Sequence, residues 1–439
     1  MEATNQIKAS PTKELFIDMI TKDISLEMAI AELVDNSIDG ALTSIKRKKA
    51  EHLNSFIIKI IVNEDEFSIV DNCGGFDVDA AKEYAFRFGR PSDIKPKENS
   101  VGRFGVGMKR SIFKIGEEIL VHSKTEDSLF DIKIDVNDWK KDPDDWTFSF
   151  QNYNIETHRP FNETVTSITI HKLYPGVQDK FTDPQFITEL INVLTSRNEM
   201  FINNGLSLDV NGIQIVAQPQ KLLFSERIKP AYLEKEINSV QVKVVAGVTE
   251  NGYPSKAGWY IYCNDRLIVD SDRTTITGWG DGAPKFHPTF ARFRGYLYFY
   301  SNDPTLLPWN TTKTNVDLEN MIFNSVREDL IRVMKPILDF LKRQTSENTS
   351  IFNNLFLECK SISASQIKHN QVVVSGDGFK EVFQYPLKEI QVDSKFKTIS
   401  YTVPISDFEK VSESIGYTTA KDIGEKTFYY YLDMECDED

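Results

Sequence analysis

Glu32, Asn36 and Asp39 stand at i, i+4 and i+7 in LEMAIAELVDNSIDGAL (26–42). On a helix that spacing gathers two carboxylates and an amide within a narrow arc of one face. The chemistry open to such a set is hydrolytic. An asparagine oxygen can hold Mg2+ while phosphates and water fill the other positions, and a nearby carboxylate can deprotonate a water. A solvated helix face produces the same stripe, so the set needs corroboration elsewhere in the chain.

Two further stretches offer it. In FSIVDNCGGFD (67–77), Asp71 ends a strand pattern and is followed by Asn72, Cys73, Gly74 and Gly75. A carboxylate held there can accept a hydrogen bond from an adenine amino group, with the glycines letting the ring lie against the backbone. An ordinary turn reads the same way, since D-N and G-G are turn dipeptides. VGRFGVGMKRSIFKIG (101–116) sets three glycines and two basic residues before an amphipathic pattern. It is not a Walker A loop, because Met108 follows Gly107 and Lys109 comes one position late. It is not a dinucleotide fingerprint either, because Arg110 fills the third glycine's place. What survives is physical: glycines allow close approach, and a helix N-terminus offers unpaired N–H groups to an anion. A plain tight turn is the alternative.

The elements that must position these residues fall into three zones. From about 12 to 175, helix patterns come first and strands follow at FIIKIIV (56–62), FSIVD (67–71), ILVHSK (119–124), LFDIKID (129–135) and VTSITIHKL (165–173). That order suggests helices on an antiparallel or mixed sheet, an α/β sandwich. From about 176 to 345 the pattern restarts with a helix at PQFITELINVLTSRNEMF. Strands follow at LSLDVNG, VQVKVVAGV, GWYIYCNDRLIV and RGYLYFYS, and a long helix closes the zone from about Leu318 to Arg343. The third zone, 346–439, opens at the Ser/Asn/Thr-rich RQTSENTS.

Bulk properties bound the function. At 439 residues, 40% hydrophobic and 26% charged, the chain reads as soluble and globular, with substantial cores. No apolar run approaches a membrane span, and MEATNQIKASPTKE does not read as a signal peptide, so a cytoplasmic protein without a membrane partner is expected. Four scattered cysteines form no CxxC pair, and the six histidines show no ligand spacing. The net charge of −14 argues against a broadly basic nucleic-acid surface. The basic run at Lys46–Lys49 is either a solvated helix end or a local phosphate contact.

Taken in order, these stretches resemble the nucleotide site of the GHKL ATPases: gyrase B subunits, heat-shock chaperones of the ninety-kilodalton class, histidine kinases and MutL. The box E-x-x-x-N-x-x-D-A stands as Glu32, Asn36 and Asp39, with Gly40 before Ala41. D-x-G-x-G stands as Asp71, Cys73 and Gly75, the first glycine replaced. G-x-x-G-x-G is intact at Gly102, Gly105 and Gly107, and the G-T-x-I box reads VTSI around Thr166. The resemblance implies Glu32 as catalytic base, Asn36 as the protein ligand to Mg2+, and Asp71 on adenine. It implies an ATP lid from Gly102 to Lys109, including Phe104, Val106 and Met108. The approach to the lid looks like MORC proteins and their prokaryotic relatives, whereas the G-F-R-G-E-A-L lid of MutL is absent.

WYIYCNDRLIV and RGYLYFYSNDPTLLPWNTTKTNVD resemble the transducer domain of MORC- and MutL-like proteins. There Lys313 would reach the γ-phosphate once the two domains close, while Arg266 reads as structural. The implied fold is α+β: a two-layer sandwich of the GHKL type (1–175), a ribosomal-protein-like transducer domain (176–345) and a C-terminal module (346–439). That module reads strand, helix, Gly416 turn, helix, with Pro404 opening the first helix. The implied function is a Mg2+-dependent ATPase working as an ATP-gated homodimeric clamp, on DNA or on a protein partner. The rival is a nucleotide-gated scaffold with little turnover.

Overall fold

Ile58, Ile60 and Val62 alternate with Ile57, Lys59 and Ile61, and only the first set is buried. That period of two lays one face of a sheet on a core. The computed structural model describes residues 11–88, 107–155, 158–219, 221–310, 313–346, 355–367, 382–386, 399 and 401–436. They divide into two units, 1–386 and 387–439.

The first unit opens with helices α1 (Lys13–Lys22) and α2 (Leu26–Lys46), then strands β1 (Ile57–Val62) and β2 (Phe67–Asp71). A short turn of helix α3 (Val78–Ala80), helix α4 (Gly107–Ile115), strands β3 (Gly116–Lys124) and β4 (Leu129–Asp135), and helix α5 (Val136–Lys141) follow. Strands β5 (Phe150–Asn154) and β6 (Val165–Leu173), helices α6 (Pro175–Phe181) and α7 (Pro184–Asn203), and strands β7 (Ser207–Val210) and β8 (Ile213–Gln214) complete the first layer pair. The sheet order is β5-β4-β3-β6-β2-β1-β7-β8. All pairs are antiparallel except β1 with β7. The sheet therefore takes its last two strands from residues 207–214, beyond the helices that follow β6.

Helix α2 forms because Ser25 caps it, its hydroxyl accepting from the Met28 N–H at 3.3 Å, with Glu27 in the first turn and Lys46 in the last. Its apolar stripe (Ile30, Val34, Ile38 and Ala41) is fully buried against the sheet and against α4 and α7.

A second sheet, β10-β11-β14-β12-β13, is built from β10 (Ala231–Ile237), β11 (Val240–Val248), β12 (Gly258–Cys263), β13 (Arg266–Asp272) and β14 (Phe293–Tyr300). The single run GWYIYCNDRLIV is thus a hairpin of two strands. Asn264 and Asp265 both take positive φ, 47° and 63°, which is the backbone of a tight two-residue turn. Helix α8 (Met321–Ser346) packs on this sheet through Leu330, Val333, Met334 and Ile337. Strands β9 (Lys221–Phe224) and β15 (Lys360–Ser363) form a separate antiparallel pair.

The unit 387–439 contains α9 (Ile405–Ile415), opened by Pro404, and α10 (Ala420–Glu435), with Gly416 between them at φ 74°. Residues 401–404 just before α9 form no strand.

Candidate functional site

Asp71 ends β2 opposite Thr166 of β6, and it is almost completely buried. Its carboxylate accepts from the Ser37 hydroxyl at 2.6 Å and from the Cys73 N–H at 2.8 Å. Burial pushes its pKa up, and hydrogen bonds from Ser37, Cys73 and Thr166 oppose that rise. Helix α2 thus holds the strand-end carboxylate through Ser37, beside Asn36. The left-handed backbone of the following turn falls on Gly74 (φ 109°) and Gly75 (φ 68°), not on Cys73. A Cβ on Gly75 would lie 2.7 Å from the Lys124 carbonyl. The cysteine in the first glycine position therefore needs no unusual backbone, and its thiol is pushed well up by burial and then by the Asp71 charge.

Glu32 lies one turn before Asn36 and is buried. Arg110 of α4 grips it with both arms: Nε donates to Oε2 at 3.0 Å and Nη2 pairs with Oε1. Gly107 opens the same helix so close that a Cβ there would sit 3.0 Å from Glu32 Oε2. Asn36 is exposed and Asp39 is half-buried, so the stripe runs from interior to surface within two turns. Lys109 is buried and donates from Nζ to the Ala85 carbonyl at 2.8 Å, and Met108 packs on the core. Gly102, Phe104, Gly105 and Val106 lie outside the described residues.

Lys313 comes to the same helix. Its Nζ is 3.8 Å from Asp35 Oδ2, and only 7% of the residue is exposed. Arg266 at the start of β13 pairs with Asp35 Oδ1, and Arg197 of α7 lies 3.6 Å from Oδ2. Burial pushes Lys313 down, with Asp35, Glu32 and Asp39 resisting. Burial likewise lowers Arg266, to about 10. Sequence reasoning missed Asp35, Ser37, Arg110 and Arg197. The one available signal was Asp35 itself, a carboxylate beside the apolar Val34 and Ile38 stripe, which requires a cation if it is buried.

The donor set fits a nucleotide with a divalent ion. It offers a strand-end carboxylate beside a glycine turn, an exposed asparagine on α2, and buried cations from α4, α7, β13 and the loop after Trp309 gathered along that helix. Among the described residues no cluster of three or more His, Cys, Asp or Glu could hold a metal alone. An ion at Asn36 would therefore complete its shell with phosphates and water.

Residues 24–166 match the family model of histidine kinase-, DNA gyrase B- and HSP90-like ATPases. The chain is 22% identical over 205 residues to ATPase MORC2A of Mus musculus and to ATPase MORC2 of Homo sapiens, and 20% identical over 206 residues to the mouse ATPase MORC2B. Each alignment covers 45% of this chain and 19% of the relative, so the chain spans about a fifth of the length of the curated relatives it matches.

Proposed function

We propose that the chain, whose residues 24–166 match the histidine kinase-, DNA gyrase B- and HSP90-like ATPase model and which is similar over 205 residues to MORC2 ATPases, is a Mg2+-dependent ATPase whose two sheets close over nucleotide. The observation that carries the reading is the convergence on one stretch of α2. Gly107, inside the lid segment, opens α4 directly against Glu32, and Lys313, from far along the chain, lies one turn away.

In this reading Glu32 takes the proton of the attacking water and Asn36 holds Mg2+, which supplies charge neutralisation to the phosphates. Asp71 accepts from the adenine amino group. The segment Gly102–Lys109 covers the phosphates with backbone N–H groups, and Lys313 pairs with the γ-phosphate. Residues 176–345 act as a transducer domain that reports the γ-phosphate's presence. Two copies then close as a clamp on DNA or on a protein partner. No described helix is long and apolar enough to cross a membrane.

Glu32→Gln tests the chemistry. Turnover should fall at least a hundredfold while ATP affinity stays within threefold of wild type, because the base is lost and the phosphate contacts are not. Equal single-turnover rates in mutant and wild type would remove Glu32 from the mechanism.

One observation favours a second reading, a nucleotide-gated scaffold with little turnover. The bidentate grip of Arg110 on Glu32 occupies the carboxylate that hydrolysis needs. A wild type that binds ATP without releasing phosphate would establish that alternative.

A further inference from the structure

Asp35 is not part of the stripe that would meet nucleotide and metal, yet it is the more deeply buried neighbour of Asn36, 1% exposed against a surface amide. Three cations from three separate elements converge on it: Arg197 from α7, Arg266 from β13, and Lys313 from the loop after Trp309. All three are nearly or fully buried. Without a central carboxylate they would repel one another in a low-dielectric setting, and Arg266 of the second sheet would lose its ion-pair partner on α2.

The three are not held alike. Arg266 has Oδ1 to itself and is completely buried, whereas Arg197 and Lys313 share Oδ2 at 3.6 and 3.8 Å. Arg197 also steadies the Lys313 backbone, donating from Nη1 to the Lys313 carbonyl at 3.3 Å. That backbone is left-handed at φ 53°, a conformation a lysine holds only when its surroundings impose it.

We propose that Asp35 is a positioning residue: it anchors the second sheet through Arg266 and holds Lys313, its loosest partner, where a terminal phosphate can take the ammonium over. The inference rests on the ATPase reading above. Moving Lys313 from Asp35 to a phosphate exchanges one anionic partner for another and leaves the Arg266 anchor in place. Asp35 thus makes the lysine available without touching the nucleotide.

The test is a double-mutant cycle on Asp35 and Lys313, measuring kcat and ATP affinity separately. Asp35→Asn should lower kcat at least tenfold with ATP affinity within threefold of wild type, and Asp35→Glu should recover a large part of that loss. Lys313→Ala should cost a similar factor alone but less than threefold when added to Asp35→Asn, because the lysine is already misplaced. If circular dichroism shows that Asp35→Asn does not fold, Asp35→Asn with Arg266→Met removes one charge of each sign and takes its place in the cycle. Losses that multiply, or a kcat within twofold of wild type, overturn the proposal while leaving the ATPase reading standing. A wild type with no turnover overturns both.

Discussion

Asp71 shows how much a single carboxylate is asked to do. It is buried, its pKa is pushed up by that burial, and it stays an acceptor because Ser37, Cys73 and Thr166 point donors at it. An adenine amino group would add one more donor to the same carboxylate. Asp71→Asn keeps the volume but removes the charge and one acceptor oxygen. A hydrogen bond to a charged group contributes about 1.5–3 kcal/mol, so ATP affinity should fall roughly tenfold to a hundredfold by calorimetry. GTP affinity should change far less, since guanine presents a carbonyl where adenine presents the amino group, and an unchanged ATP:GTP ratio would place Asp71 outside the site. The carboxylate and its glycine turn were readable from residue type, because a strand-ending Asp before paired glycines needs that backbone. The Ser37 contact was not, since it depends on how α2 lies across β2, and the Arg110 grip on Glu32 depends likewise on how α2 packs against α4.

At the scale of elements, alternation made β4 and β6 legible to their ends, because one face of each is buried and the other is not. The β12–β13 hairpin was hidden for the opposite reason. Both strands are buried on both faces over much of their length, so no period marks the turn, and Asn264–Asp265 is its only sign. Where α7 crosses β13, Glu199 carries a pKa raised to about 7, first by burial and then by the Asp270 charge. The folded state therefore keeps this proton to higher pH than the unfolded chain, whose glutamate releases it near 4.5. Its contribution is fully present below that value and is lost as pH rises through about 7. Glu199→Gln should flatten the decline of stability between those limits, and above pH 7 it should exceed wild type by on the order of 1 kcal/mol. Parallel denaturation curves at pH 5 and pH 8 check this, and an unchanged pH slope in the mutant would mean that Glu199 does not titrate there.

For the whole molecule, the expected signature of the proposed clamp is a nucleotide-dependent change in mass. A non-hydrolysable ATP analogue should drive dimerisation and ADP should not, because only the former offers Lys313 a terminal phosphate. A charge-assisted hydrogen bond of about 1.5–3 kcal/mol shifts such an equilibrium more than tenfold. Lys313→Ala should lose the response while retaining nucleotide, and ultracentrifugation of both proteins with each ligand decides it. A monomer under every condition would end the clamp reading. The polar stripe on α2 was readable because its spacing is local, whereas the ion cluster beside it was not, since Asp35 finds partners at 197, 266 and 313. That same distance sets a timetable for synthesis. At roughly 5–20 residues per second, the ribosome delivers Lys313 on the order of tens of seconds after Asp35. During that interval the first helices and strands can assemble, but the carboxylate at their seam has none of its partners until α7 emerges. The junction that would sense nucleotide is therefore completed late, and a chain stalled before α7 would carry a formed α2 with its acid still in water.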